Sequence, residues 1–238
     1  MLTTETSSPP IQAISLDLDD TLWPVVPTLI QAEKTLGAWL AINAPATAAH
    51  LTAETRKRLR SAVMSEHPER LHDMSFARLR LLQMAMQEAG DSVAKADGAF
   101  DVFLAARQQV TLYDDVIPVL EQWHQRYHLI AVSNGNADLD RIGIGHLFNT
   151  KISAHEVGFA KPDRRIFELA CRRAGIPADS ILHVGDDPKL DFEAARNIGM
   201  QSVLLWRPDL DKQKSVGAAD PLPHFYDLHG IDAILKST

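Results

Sequence analysis

Three acids fall within Asp17-Leu18-Asp19-Asp20-Thr21. In an extended chain, residues two apart point to the same side, so Asp17 and Asp19 can face one reacting group while Asp20 points elsewhere. Two carboxylates on one centre suit a nucleophile and a proton donor. A second acidic run, Gly185-Asp186-Asp187-Pro188-Lys189-Leu190-Asp191, supplies three more carboxylates. Gathered without counter-charge, such groups repel and drive some of themselves to protonate. A hard divalent cation resolves the conflict, and Mg²⁺ suits it best because it accepts a few carboxylates while keeping waters and phosphate oxygens. Candidate ligands are Asp17, Asp19, Asp186, Asp187 and Asp191. Asp187 and Asp191 have a second reading as caps of the helix that Pro188 opens, favoured near its positive end.

Ser133-Asn134-Gly135 and Lys161-Pro162 extend the set. A hydroxyl and backbone N–H groups at a strand end can hold phosphate oxygens, and a Lys at a helix start adds positive charge where phosphoryl transfer spreads negative charge. Taken singly, Asn-Gly is a common turn pair and Lys-Pro a common helix opening. Position must therefore decide between chemistry and structure.

The elements that carry these residues alternate. Apolar runs at Ile11 to Thr21, His128 to Val132, Ile181 to Val184 and Ser202 to Trp206 each end in polar or turn residues, which reads as buried strands. Helical stretches lie between them: Asp115 to Tyr127, Pro162 to Ala174 closed by Gly175, and Pro188 to Ile198 closed by Gly199. The expected fold class is α/β, a Rossmann-like doubly wound parallel sheet with right-handed crossovers. Ligands of such sheets bind beyond the carboxyl ends of the strands, where the acids converge. The alternation breaks from about Trp23 to Arg107, where Thr28 to Leu40, Thr52 to Met64, Ser75 to Ala89 and Val93 to Ala106 all suit helices. The expected organisation is a catalytic core of residues 1–22 and 109–238 with an inserted all-helical cap at 23–108. Thr3 to Pro10 reads as a loose leader and Pro208 to Pro223 as a surface loop before a short terminal helix.

Composition narrows the rest. The 238 residues hold 24 Lys or Arg and 31 Asp or Glu, a formal charge of −7, so no nucleic-acid partner is expected. No apolar stretch is long enough for a membrane span, and Met1 to Pro10 lacks a secretory signal, so a cytoplasmic protein with no membrane partner is expected. A single cysteine, Cys171, excludes an internal disulfide and a multi-thiolate zinc site.

In the order Asp17/Asp19, Ser133, Lys161 and Asp186/Asp191, the motifs together resemble those of the haloacid dehalogenase-like hydrolase superfamily over Ile14 to Trp206. The resemblance implies Asp17 as nucleophile, Asp19 as acid and base, and Ser133 with Lys161 on the phosphoryl group. It further implies Mg²⁺ held by Asp17, the Asp19 carbonyl and Asp186, with Asp191 or Asp187 orienting a water. The haloalkanoic dehalogenases of that family lack an acid two residues after the nucleophile, since halide leaves unprotonated. Asp19 therefore favours phosphomonoester hydrolysis. A sugar phosphomutase and a non-catalytic binding protein on the same fold are the alternatives.

Around Asp17 to Trp23, His67, Pro68, His72 and Asp73, Ser133 to Asn136, and His183 to Asp187, the sequence is similar to bacterial phosphatases acting on flavin mononucleotide and on 5-amino-6-(5-phospho-D-ribitylamino)uracil. That likeness implies a small-molecule phosphomonoester with a ribityl chain and a role in riboflavin biosynthesis. Thr21, Trp23, His72, Ser133, Asn134 and Gly135 are the candidate substrate contacts. Trp23 could pack on a flat ring, with core packing as the competing reading. His67, Arg78 and Arg80 are further cap candidates, for which a helix-surface reading is simpler. A monomer or weak homodimer is expected.

Overall fold

The computed structural model describes residues 9–208 and 224–237. The chain opens with β1 (Ala13–Leu16), passes through five helices, α1 (Val25–Asn43), α2 (Pro45–His50), α3 (Ala53–Glu66), α4 (Met74–Ala89) and α5 (Ala96–Arg107), and returns in α6 (Val116–His124). There follow β2 (His128–Ser133), α7 (Leu139–Ile142), β3 (Thr150–Ser153), α8 (Ala154–Val157), α9 (Arg164–Ala174) and β4 (Ile181–Gly185). A π-helical turn (Pro188–Glu193) runs into α10 (Ala194–Arg196), before β5 (Gln201–Leu205), β6 (His224–Phe225) and α11 (Leu228–Ser237).

The strands form one six-stranded parallel sheet in the order β3-β2-β1-β4-β5-β6. Every residue of β1 is buried because the sheet is covered on both faces. Ile14, Leu16, Leu129, Ala131, Leu182 and Val184 point to the layer holding Trp123 of α6 and Ile231 of α11. Ala13, Ile130, Val132 and Ile181 point to the layer holding Ile166, Phe167 and Ala170 of α9. Alternation along each strand thus serves two apolar layers. The carboxyl ends of β1, β2 and β4 lie side by side, since Leu16 is in register with both Ala131 and Val184.

Helices α1 to α5 pack around an apolar cluster of their own, built on Leu36, Leu40, Leu59, Leu82, Met86 and Phe103. Trp23 belongs instead to the cluster beneath the sheet. Two strands were not expected from the sequence, β3 and β6, both at sheet edges. The expected leader and the loop from Pro208 to Pro223 lie outside the described residues except at Pro9, Pro10 and Pro208. No helix among the described residues is long and apolar enough to cross a membrane.

Candidate active site

The backbone N–H of Asp17 donates to the carbonyl of Val184 at 2.9 Å, which extends the sheet by one residue and fixes the first carboxylate beyond β1. The chain then reverses. Asp20 takes a left-handed φ of 61°, a conformation that Asp tolerates better than most residues. Its N–H donates to the Trp23 carbonyl at 2.8 Å, and its Oδ1 accepts from the N–H of Val25 at 2.9 Å, at the start of α1. This reversal lays Trp23 beside Asp19, whose Oδ1 accepts from the indole Nε1 at 2.8 Å. From the last residue of α5, the Nη2 of Arg107 donates to both Asp19 oxygens, at 2.6 and 2.8 Å.

Lys161 sits in the loop before α9, followed by a cis bond to Pro162. The Asn134 side chain grips its backbone twice: Asn134 Nδ2 donates to the Lys161 carbonyl at 2.9 Å, and the Lys161 N–H donates to Asn134 Oδ1 at 2.7 Å. Held this way, Lys161 extends its ammonium between Asp17 and Asp191, donating to Oδ1 of each at 2.5 and 2.6 Å. Asp191 is secured from every side. Its Oδ1 also meets Nε2 of the buried His183 at 3.2 Å, and its Oδ2 accepts from the N–H of Asp187 at 3.0 Å.

Two glycines permit these approaches. A Cβ on Gly185 would lie 2.3 Å from Cγ of Asp191, and one on Gly135 would lie 2.7 Å from Oδ2 of Asp19. Both would occupy space already filled by a reacting or supporting carboxylate.

Acidic groups crowd the site. Oxygens of Asp17, Asp186 and Asp191 lie within 4.8 Å of one another, all three buried. Burial pushes the Asp17 carboxyl well above the ordinary value, with Asp191 and Asp186 adding to the rise and Lys161 opposing it. Burial also works against charge on Lys161, but Asp17 and Asp191 outweigh it and hold the ammonium protonated. In the same way Lys161 and His183 overcome the burial of Asp191 and keep it ionised. A divalent cation beside these oxygens would relieve the repulsion that adds to the rise at Asp17. The donor set, all carboxylate oxygen, fits a hard divalent metal.

Residues 11–199 match the family model of the haloacid dehalogenase-like hydrolases. The chain belongs to that family. It is 31% identical over 218 residues, 90% of this chain and 91% of its relative, to the 5-amino-6-(5-phospho-D-ribitylamino)uracil phosphatase YigB of Escherichia coli. A glyceraldehyde 3-phosphate phosphatase of Methanopyrus kandleri is 30% identical, with 83% of this chain and 84% of that protein covered. Among solved structures, a 2-haloacid dehalogenase from Pseudomonas syringae pv. Tomato superposes with a TM-score of 0.87 at 34% identity, covering 95% of this chain and 99% of the other. The phosphatase relatives place this haloacid dehalogenase-like hydrolase among the phosphatase enzymes of the family.

Within this hydrolase, the structure brings Asp17, Lys161, Asp186 and Asp191 together, while the Asp19 carboxylate, two residues along the chain from Asp17, is taken by Trp23 and Arg107. Ser133, at the end of β2, is buried and its Oγ accepts from the N–H of Gly135 at 2.9 Å. Four further candidates make other contacts. Asp187 is not part of the carboxylate cluster; its Oδ1 caps the helical turn by accepting from Lys189 and Leu190 at 2.9 and 3.1 Å. Trp23 is fully buried and offers no ring face to a substrate; its polar edge is spent on Asp19. Thr21 is fully buried too, its Oγ1 lacking a hydrogen-bond partner and its carbonyl accepting from Nε and Nη2 of Arg207 at 3.0 and 2.8 Å. Asn134 turns its amide to the Lys161 backbone rather than outward. His72 lies half-buried on the turn before α4, and no hydrogen bond ties it to the carboxylates. Arg78 pairs with Glu33 at 2.5 Å and stacks on Phe103 inside the helical layer.

Arg107 and His183 were missed by sequence reasoning. Neither stands in a motif of its own, and Arg107 lies 88 residues from the carboxylate it holds. His183 follows a clearer signal, as the one ionisable side chain of an otherwise apolar strand, Ile181 to Gly185.

Proposed function

We propose that this chain is a Mg²⁺-dependent phosphomonoester hydrolase acting through an aspartyl phosphate on Asp17. The observation that carries the reading is the Asp17 carboxylate pinned by Lys161 at 2.5 Å, with Asp19 two residues on and held by separate donors. In the first half-reaction a bond forms between an Asp17 oxygen and phosphorus while the ester P–O bond breaks. Asp19 passes its proton to the departing oxygen. In the second, Asp19 takes a proton from water as the water oxygen bonds to phosphorus and the Asp17–phosphorus bond breaks, freeing inorganic phosphate. An ammonium has three N–H donors, and Lys161 spends two on Asp17 and Asp191; the third serves a phosphoryl oxygen, with the Ser133 hydroxyl on another.

Asp17, Asp186 and the Asp19 carbonyl would hold Mg²⁺, which when bound neutralises phosphoryl charge as the transfer proceeds. Asp191, with both oxygens engaged, keeps Lys161 in place. Residues 23–108 would act as a cap over a core of 1–22 and 109–238, in a cytoplasmic monomer or weak homodimer without nucleic-acid or membrane partners.

A cavity of about 290 Å³ supports a small polyol as the leaving group. It runs from Leu18 and Ser133 to Ser75 and Leu104 of the helical layer, meeting the site at Ser133 rather than at the carboxylates, and its wall mixes Gln108, Asn136 and Ser153 with the charged Asp138, Asp140, Arg141, Lys151 and Glu156. A wall this polar suits a hydroxyl-bearing leaving group better than a purely apolar one. A ribityl phosphate is compatible with this chemistry and is the substrate named for the Escherichia coli relative, so 5-amino-6-(5-phospho-D-ribitylamino)uracil, with flavin mononucleotide as a second ribityl phosphate, is the first candidate. Phosphate release by purified protein with Mg²⁺, compared across these two compounds, sugar phosphates and p-nitrophenyl phosphate, tests the reading. Asp17→Asn must abolish turnover. Activation by a sugar bisphosphate without net phosphate release would favour the phosphomutase, and no turnover at all a binding protein.

One neighbour favours a second reading, since the superposed Pseudomonas structure is of a 2-haloacid dehalogenase. Asp19 argues against it, because halide departs without a proton. Halide release from a 2-haloacid would reverse that ranking.

A further inference from the structure

The chain passes between the sheet and the helical layer twice, once just before α1 and once just after α5. Each crossing sends one N–H group to the same carboxylate. Trp23, at the first, donates Nε1 to Asp19 at 2.8 Å; Arg107, at the second, donates Nη2 to both Asp19 oxygens at 2.6 and 2.8 Å. The next residue, Gln108, anchors the second crossing to the loop after β2: its Nε2 donates to the Asn136 carbonyl at 3.2 Å, and its Oε1 accepts from the N–H of Asp138 at 2.7 Å. Arg107 is buried, yet its Nη1 has no hydrogen-bond partner. A guanidinium placed only for stability would be expected to satisfy both ends. This one gives up Nη1 and keeps Nη2 on Asp19.

We infer that Arg107 is a positioning residue for Asp19, transmitting the seating of the helical layer to the group that handles the proton. The inference rests on the reading of Asp19 as acid and base. Trp23 fixes one oxygen of the carboxylate, and a single contact leaves it free to swing about that point. Arg107 bridges both oxygens and removes that freedom, so that Asp19 faces the ester oxygen when the layer is seated against the sheet.

Loss of this restraint falls on the step in which a proton must reach the leaving oxygen. An alkoxide is a poor leaving group and needs that proton; p-nitrophenolate needs it far less. The test compares kcat/KM for ribitol 5-phosphate and for p-nitrophenyl phosphate at saturating Mg²⁺, in wild type, R107M, R107K and W23F. The expected result for R107M is a loss of about 10-fold or more on the alkyl ester with a much smaller loss on the nitrophenyl ester. The fall in Tm that follows from removing a buried cation from Asp19 acts on both esters alike and leaves their ratio as the readout. R107K should recover part of it, and W23F, which removes one N–H from the same carboxylate, should show a weaker form of the same selectivity. D19N should reproduce the selectivity in full, and R107M added to D19N should bring no further selective loss. Equal losses on both esters, or a fall in Tm without selectivity, would give Arg107 a structural role and overturn the inference. Should R107M fail to fold, R107K and W23F decide the question in the same way. Failure of the underlying reading looks different: D19N would match wild type on both esters, or wild type would release no phosphate.

Discussion

Lys161 Nζ lies 2.5 Å from Asp17 and 2.6 Å from Asp191, so one buried ammonium is shared between two carboxylates that come from opposite ends of the sequence. Asp191 is committed to it, with His183 and the Asp187 N–H completing its partners. Asp17 is the weaker claimant and bears the repulsion of both Asp191 and Asp186. The nucleophile of the proposed reaction is thus the group that gains most from added positive charge.

The contribution of Asp17 to the stability of the metal-free protein should therefore fall as pH rises. Burial and neighbouring acids raise the folded-state value for Asp17 above its ordinary 3.8, and a raised group gives stability at low pH that is lost as pH climbs through the folded value. Asp191 acts in the other direction: its value is lowered by Lys161 and His183 against its burial, so its contribution is in place above 3.8 and lost only in stronger acid. Above 3.8, Asp17 pulls stability down as pH rises, while His183 and His128, held below their ordinary 6.5 by burial, pull it up as pH climbs towards 6.5. The comparison of chelator with Mg²⁺, and of wild type with Asp17→Asn, isolates the Asp17 part. Thermal melts in chelator and in Mg²⁺ across pH 5 to 8 should diverge as pH increases, and Asp17→Asn should take the Asp17 fall out of the chelator series. A Mg²⁺ increment in Tm that ignores pH would contradict this account.

Asn134→Ala should lower turnover through Lys161. The substitution removes both contacts to the Lys161 backbone, each worth about 1 kcal/mol to stability. The larger effect is on placement, because a shift of about 1 Å in a charged group beside the phosphoryl oxygens costs on the order of 10²-fold in rate. Turnover of p-nitrophenyl phosphate should fall by about that factor with a modest loss of Tm. Unchanged turnover would mean that the loop before α9 holds Lys161 without help.

The strands that deliver Asp17, Ser133 and Asp186 were legible because their residues are apolar on both faces, as burial between two helical layers demands. β3 was not: Thr150-Lys151-Ile152-Ser153 is short, half polar and at the sheet edge, where only one residue in two is buried. β6 spans two residues and gives no period to read. Within the site, the acids announced themselves by spacing, but spacing does not distinguish a ligand from a cap. Asp187 became a cap because its backbone lies one residue before Pro188, where its carboxylate reaches two unsatisfied N–H groups. For Trp23 the sequence left a stacking and a core-packing reading open, and the reversal at Asp20, which buries the indole, agrees with the second. Arg107 gave no signal, because its role depends on how helices far apart in sequence come together.

Arg207→Met should be strongly destabilising although Arg207 lies outside the reacting groups. Its Nη1 pairs with Asp115 at 2.7 Å, its Nε and Nη2 hold the Thr21 carbonyl, and its guanidinium stacks on Tyr113 at 4.2 Å. Removing the cation leaves the Asp115 carboxylate buried with the Leu228 N–H still donating to it. Breaking one half of a buried pair costs about 3–5 kcal/mol. Urea unfolding should show most of that loss in R207M, and a smaller loss when Asp115→Asn is added, since no uncompensated charge then remains. Additive losses in the double variant would place the stabilisation in Thr21 rather than in the ion pair.

Gly185→Ala should damage the carboxylate cluster more than its single added methyl suggests. The new Cβ would stand 2.3 Å from Cγ of Asp191, and that carboxylate has nowhere to go: Lys161 and His183 hold Oδ1, and the Asp187 N–H holds Oδ2. Either β4 shifts or Asp191 gives up its partners. Overpacking of this kind costs about 1–3 kcal/mol, and freeing Lys161 from its second carboxylate should lower turnover on the order of 10²-fold. Gly37→Ala provides the control. Gly37 lies within α1 with nothing within 4 Å of a Cβ, so an added methyl there should stabilise the helix by about 1 kcal/mol and leave turnover untouched. Loss of Tm and kcat in G185A beside a gain of Tm in G37A would locate the effect at Asp191, whereas wild-type turnover in G185A would show that Lys161 keeps its position without that carboxylate.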